Sequence, residues 1–203
     1  MLKISVGSGK MKGLSSLNTN TLTNEFCQKS SKKDNLICSM CYSWLQLNTY
    51  RKNCQPSWEN NSKLLSERVI DTYYLPQITD KIFRFNSHGE LINDYHMINI
   101  INLVNKNHRT VFTLWTKRIG IVNRVLKEHK KPKNLILVYS SPLTDTQFNL
   151  PKNFDKVFTG VDKRTDVKIN CFGDCVSCRR CYTLEDTTTH INEKIKPYSK
   201  KVN

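Results

Sequence analysis

Four short runs of β-branched and aromatic residues, spaced by stretches of helical periodicity, restrict this chain to an alternating α/β architecture. The runs are Lys81 to Phe85, Thr110 to Trp115, Leu135 to Tyr139 and Lys156 to Thr159, each bounded by polar or turn residues. Apolar residues recur at three- and four-residue spacing over Trp58 to Tyr74, Asp94 to Asn105 and Ile119 to His129, with Leu64, Leu65, Val69 and Ile70 as one face of the first. Strand, helix, strand repetition implies a mostly parallel sheet with right-handed crossovers. A closed eight-stranded barrel takes about 250 residues, and this chain has 203. The expectation is therefore a partial (βα) barrel or a short, mostly parallel sheet with a Cys-rich C-terminal metal-binding segment. Residues 1–182 read as one α/β domain carrying both cysteine clusters. Apolar periodicity fades after Tyr182, so 183–203 reads as an extended basic tail.

Four cysteines fall within eleven residues near the C-terminus, as Cys171, Cys175, Cys178 and Cys181, and a sparser set stands at Cys27, Cys38, Cys41 and Cys54. Thiolates spaced C-x3-C-x2-C-x2-C on a tight loop converge on one tetrahedral metal or one cluster. Disulfides are the competing reading, and compartment decides between them. Met1 to Gly7 has no apolar stretch of signal-peptide length, and nothing approaches a membrane span. A reducing cytoplasm with no membrane partner is expected, and there clustered cysteines bind metal or react more often than they pair.

The net charge of +15 attracts polyanions. Between Lys106 and Lys133 nine Lys or Arg stand against Glu128 alone, so this stretch carries +8. Arg109, Lys117, Arg118, Arg124, Lys127 and Lys130 are its candidate nucleic-acid contacts, with a solvated helix face as the plain alternative.

Loops at the C-terminal ends of parallel strands are where an α/β fold places its chemistry. Lys81 to Phe85 is followed by Asn86-Ser87-His88-Gly89-Glu90, which combines a ligand-type side chain, a flexible glycine and a carboxylate; a polar turn is the bland alternative. Arg84, between Phe83 and Phe85, faces either solvent or a polar barrel interior. Tyr42, Trp44 and Tyr50 beside Arg51-Lys52 offer a stacking surface for bases, or else core and interface.

With those residues in hand, the chain resembles the phage gene product 88 family, for which no activity is established. The likeness rests on Gly13-Leu14-Ser15-Ser16-Leu17-Asn18-Thr19, on Cys38-x-x-Cys41-Tyr42 followed by Tyr50-Arg51, on Arg84-Phe85-x-Ser87-x-Gly89-Glu90, and on the Cys-rich ending. It implies a host cytoplasm and admits a host protein partner. More distantly, the order of features is similar to radical S-adenosylmethionine enzymes. That likeness implies a [4Fe-4S] cluster on Cys27, Cys38 and Cys41, with Ser87, Gly89 and Glu90 at the S-adenosylmethionine amine. It also implies an auxiliary cluster on Cys171, Cys175, Cys178 and Cys181. The C-x3-C-x2-C spacing of those enzymes stands at Cys171, Cys175 and Cys178 instead of the N-terminal position, which leaves cofactor cleavage and catalysis open. The alternative is a zinc-stapled module, with Cys38 and Cys41 meeting Cys178 and Cys181 in one four-thiolate Zn2+ site. Its function would be to bind nucleic acid or a host protein.

Overall fold

The structure is a computed structural model and describes residues 1–162, 166–171, 173–183 and 185–195. Its sheet has seven strands that follow one another in chain order: β1 (Ile4–Val6), β2 (Ser15–Leu17), β3 (Ile82–Phe85), β4 (Val111–Thr116), β5 (Leu135–Ser140), β6 (Lys156–Val161) and β7 (His190–Lys194). Only β1 with β2 is antiparallel; every later pair is parallel. The helices are α1 (Glu25–Ser31), α2 (Tyr42–Asn48), α3 (Gln55–Glu67), α4 (Asp94–Lys106), α5 (Ile119–Glu128) and the short α6 (Cys175–Cys178). Among the described residues no helix is long and apolar enough to cross a membrane.

A parallel sheet wound in one direction, with right-handed crossovers, gathers its connecting helices on a single face. That face holds the main core, where Phe83, Phe85, Phe112, Leu114, Leu137 and Val157 meet Leu65 of α3, Met97, Ile100 and Leu103 of α4, and Ile121, Val122 and Val125 of α5. Side chains alternate across a strand, so the opposite, inner face carries Ser16, Arg84, Thr113, Trp115, Val138, Ser140 and Phe158. This inner face is covered by loops: the turn Arg180–Tyr182 packs on β4 and β5, and α6 packs on the turn Gly9–Met11.

All four sequence-predicted strands are present as β3 to β6. The first predicted helix, however, stops at Glu67 instead of running to Tyr74, and Val69 is exposed. The cause is Asn99, fully buried on α4: its Nδ2 donates to the Leu65 and Arg68 carbonyls at 2.9 and 2.8 Å and its Oδ1 accepts from Ile70 N at 2.7 Å. Those bonds satisfy the backbone that leaves the helix. Asn99→Leu orphans all three groups, at about 1 kcal/mol or more each, and is expected to lower stability by about 3 kcal/mol, read as a shift in the urea midpoint.

The expected tail is also corrected. His190–Lys194 forms β7 on β6, with Ile191 and Asn192 buried. The approach to it is fixed by Lys156, whose buried ammonium donates to the Asp186 and Thr188 carbonyls at 2.9 and 3.0 Å, and by Val157 N on the Thr189 carbonyl. The expected tail residues Lys200-Lys201 lie outside the described residues.

Candidate functional site

The exits of β2 and β3 are clamped together by uncharged side chains. Asn18 Oδ1 accepts from Ser87 Oγ at 2.6 Å and from His88 N at 3.0 Å, while Thr19 N donates to the His88 carbonyl. Thr21 Oγ1 accepts from Gly89 N at 3.0 Å, and Asn24 Nδ2 donates to the Glu90 carbonyl at 3.1 Å. The Asn24 side chain also caps α1 by accepting from Cys27 N at 3.2 Å, so the residue that starts the cysteine-bearing helix also holds the Glu90 backbone.

On this clamp sits a cavity of about 380 Å³, lined among others by Cys27, Cys38, Cys41, Glu90 and Lys117. Cys27 comes from α1, Cys38 from the turn Ile37–Met40, and Cys41 from the residue before α2. Burial raises the Cys27 thiol well above its ordinary value, with Glu90, Cys41 and Cys38 adding to it; burial likewise raises Cys38, against the pull of Lys117. Burial works against the charge on Lys117, but Cys38, Glu90, Cys41 and Cys27 outweigh it and hold the ammonium pKa above the ordinary lysine value. Its Nζ donates to Ser140 Oγ at 3.0 Å. Cys54 stands at the start of α3, apart from this wall.

The other strand-exit residues divide into structural and available groups. The Glu90 carboxylate accepts from Leu91 N at 2.8 Å, Lys117 N at 2.9 Å and the Thr116 hydroxyl, so it bridges the exits of β3 and β4. A carboxylate has about four acceptor positions, and these bonds leave one. The Ser87 hydroxyl is spent on Asn18 and Ser16. His88 is a packed core residue: its ring lies 4.4 Å from Trp58 and 5.3 Å from Tyr42, and Nδ1 meets Ser43 Oγ at 2.8 Å. Tyr42, read as a stacking residue, donates to the Ser87 carbonyl.

Arg84 points into the interior, the second of its two expected positions. It is 7% exposed, its guanidinium carbon lies 4.1 Å from the centre of the Trp115 ring, and Nη1 sits 3.2 Å from Met11 Sδ. Burial opposes its charge, while Tyr182, Tyr42 and Cys175 beside it favour the charged form.

The C-terminal quartet forms beside Arg84, which favours the charged forms of Cys175 and Cys181. Asp174 caps α6 through Val176 N and Ser177 N, Arg179 turns the chain at φ 51°, and Cys171 N donates to Asn192 O of β7. Burial pushes Cys181 up to about 12, against Arg84, and Cys175, Cys171 and Cys178 add to the rise. Burial raises Cys171 and Cys175 too. Cys41 adds to the rise of Cys38 within the N-terminal set. Thiols, the soft donors that a thiolate centre uses, occur in both regions. Among the described residues, no group of three or more His, Cys, Asp or Glu side chains stands in a geometry that could hold a metal ion.

The family model described as Gene product 88 matches residues 5–192. The chain belongs to that family. No curated protein and no solved structure matches it.

The gene product 88 match takes in both cysteine sets and runs from β1 into β7. Within this family member, the basic residues expected to act as one face are divided. Arg109 precedes β4 and Lys117 and Arg118 follow it, six strand residues away, or about 20 Å. Helix α5 carries Lys127 back toward the end of the sheet where Arg109 lies, and Lys130 follows that helix. Arg124 pairs with Asp94 at 2.7 Å, and Arg118 lies 4.9 Å over the Phe26 ring. Sequence reasoning missed Thr21 and Asn24, and took Asn18 only as part of the family motif and not as part of this clamp. Their signal was a run of uncharged polar residues directly after a strand.

Proposed function

We propose that this gene product 88 protein is an iron–sulfur protein related in design to radical S-adenosylmethionine enzymes. One cluster would be held by Cys27, Cys38 and Cys41, and a second by Cys171, Cys175, Cys178 and Cys181. The observation that carries the reading is the arrival of Cys27, Cys38 and Cys41, from three pieces of the β2–β3 connection, on one cavity wall beside Glu90. That wall lies at the C-terminal ends of parallel strands, where such folds place their chemistry. Bound there by three thiolates, such a cluster would supply one-electron chemistry at the cavity. Lys117 would offset the thiolate charge, and the remaining acceptor position of Glu90 would take an ammonium group of S-adenosylmethionine. Ser87 and Gly89 act through the clamp: they fix the Glu90 backbone. Nucleic acid is the substrate class that the net charge of +15 favours.

Anaerobic purification with iron and acid-labile sulfide analysis tests this. Two clusters' worth of iron is expected, with the Cys27, Cys38, Cys41→Ala triple variant losing one share and the four-site C-terminal variant the other. A colourless protein free of iron and sulfide would overturn it.

A second reading is favoured by the closeness of the quartet alone: four thiols on one loop suit a closed zinc site, with the protein acting as a non-enzymatic binder of nucleic acid or of a host protein. One zinc per chain, lost only in the quartet variant, would select it. Nucleic-acid affinity that falls steeply between low and moderate salt would then separate phosphate recognition from binding to a protein.

A further inference from the structure

We propose that the cavity takes a small molecule bearing a carboxylate or phosphate group, and that Arg84 and Trp115 on the inner face of the sheet hold that group. The inference concerns the ligand of the cavity already described, but it stands on charge balance and hydrogen bonding in the sheet and not on either metal centre. Six charged residues among the described ones line the cavity: Lys10, Arg84, Lys117 and Lys194 against Glu90 and Glu193. Lys10 is paired with Glu193, and Lys194 is exposed. Lys117 lies by Glu90 and the Cys27, Cys38 and Cys41 thiols, and Glu90 is already bonded by three protein donors, which leaves Arg84 without a carboxylate of its own.

The donors near Arg84 are in surplus as well. Among the described residues, Arg84 Nε and Trp115 Nε1 are buried without a hydrogen-bond partner, and so is the hydroxyl of Thr113, the register neighbour of Arg84. Arg84 makes no ion pair with a carboxylate among the described residues. A buried guanidinium left unpaired is costly, and so is each orphaned donor. A ligand group with acceptor oxygens and a negative charge answers both deficits at once. The planar fork of an arginine suits a carboxylate or phosphate in particular. Stacking on Trp115 fixes the plane of that fork, so the site is pre-oriented.

The test uses the full chain with its metal content measured. Inorganic phosphate and malonate are titrated by calorimetry and by the rise in thermal midpoint, with glycerol as a neutral control. At least one anion is expected to bind and to raise the midpoint while glycerol does not. A preference for phosphate points to a phosphate ester as the natural ligand, and a preference for malonate to a carboxylate. Arg84→Met should weaken binding by about 10- to 100-fold, the range of a charge-assisted hydrogen bond, while leaving the protein without anion at least as stable as wild type. Should that variant fail to fold, Trp115→Phe, which keeps the ring and removes the N–H, carries the test with a loss of several-fold. Binding of neither anion to the wild type, or equal binding to the Arg84 and Trp115 variants, would overturn the proposal. Because the titration reads binding alone, it can fail while both metal centres are present, or succeed in their absence.

Discussion

Replacing Gly89 with alanine is expected to cost about 2–5 kcal/mol, because two independent penalties add. Gly89 has φ +81°, in the left-handed region, where a Cβ costs about 1–2 kcal/mol. The new Cβ would also meet Thr19 Oγ1 and stand 2.5 Å from the Thr19 carbonyl oxygen. The obstacle is backbone, so a rotamer change does not relieve it, and forced overpacking of this kind costs about 1–3 kcal/mol. Thr19 is itself held by its N–H on the His88 carbonyl. Moving it pulls β2 from β3. Gly13 supplies the control: it has φ +83°, and a Cβ added there would meet nothing within 4 Å, so Gly13→Ala carries the backbone penalty alone. Urea midpoints of the two variants separate the two penalties. Equal losses would mean that the close approach of the β2 and β3 exits adds nothing to stability.

The same region shows what the chain makes legible. Strands β3 to β6 are covered on both faces and therefore read as apolar runs, with Phe83, Phe112, Leu137 and Val157 fully buried. β2 is as deeply placed, yet its Ser15-Ser16-Leu17 carries no β-branched residue; its partners are the β1 and β3 ladders and Asp80, which accepts from Ser15 Oγ at 2.8 Å. β7, His-Ile-Asn-Glu-Lys, lies at the sheet edge and buries chiefly Ile191 and Asn192, so too little of it is apolar to register as a strand. The cysteine spacings could be read directly. Which thiols share a neighbourhood could not, because that depends on which loop covers which end of the inner face. For Arg84, two positions were open until the register of β3 turned it inward onto Trp115.

Acid should unfold this protein early, through two histidines. His88 and His96 are 4% and 1% exposed, and both have pKa values lowered to about 3: burial is the leading cause for His88, followed by Arg51 and Arg84, and burial alone for His96. His96 Nδ1 accepts from Ile92 N at 3.3 Å, a bond that only the neutral ring can make. In the unfolded chain each ring protonates near pH 6.5. Below that pH the unfolded state binds protons that the folded state refuses, so stability present above pH 6.5 is lost steadily as pH falls toward 3. Each histidine contributes a slope of about 1.4 kcal/mol per pH unit, and the two together about 2.7 kcal/mol per unit. The acidic groups whose pKa values are lowered by hydrogen bonding, Glu25, Asp174 and Asp186, add their own loss only as the unfolded chain takes up protons near 4.5 and 3.8. Unfolding free energies measured between about pH 6.5 and 5.5 therefore isolate the histidines. His96→Asn should halve the slope in that window whatever it does to stability at pH 7, because the slope counts protons and the offset counts packing. An unchanged slope would mean that His96 already takes up its proton in the folded protein.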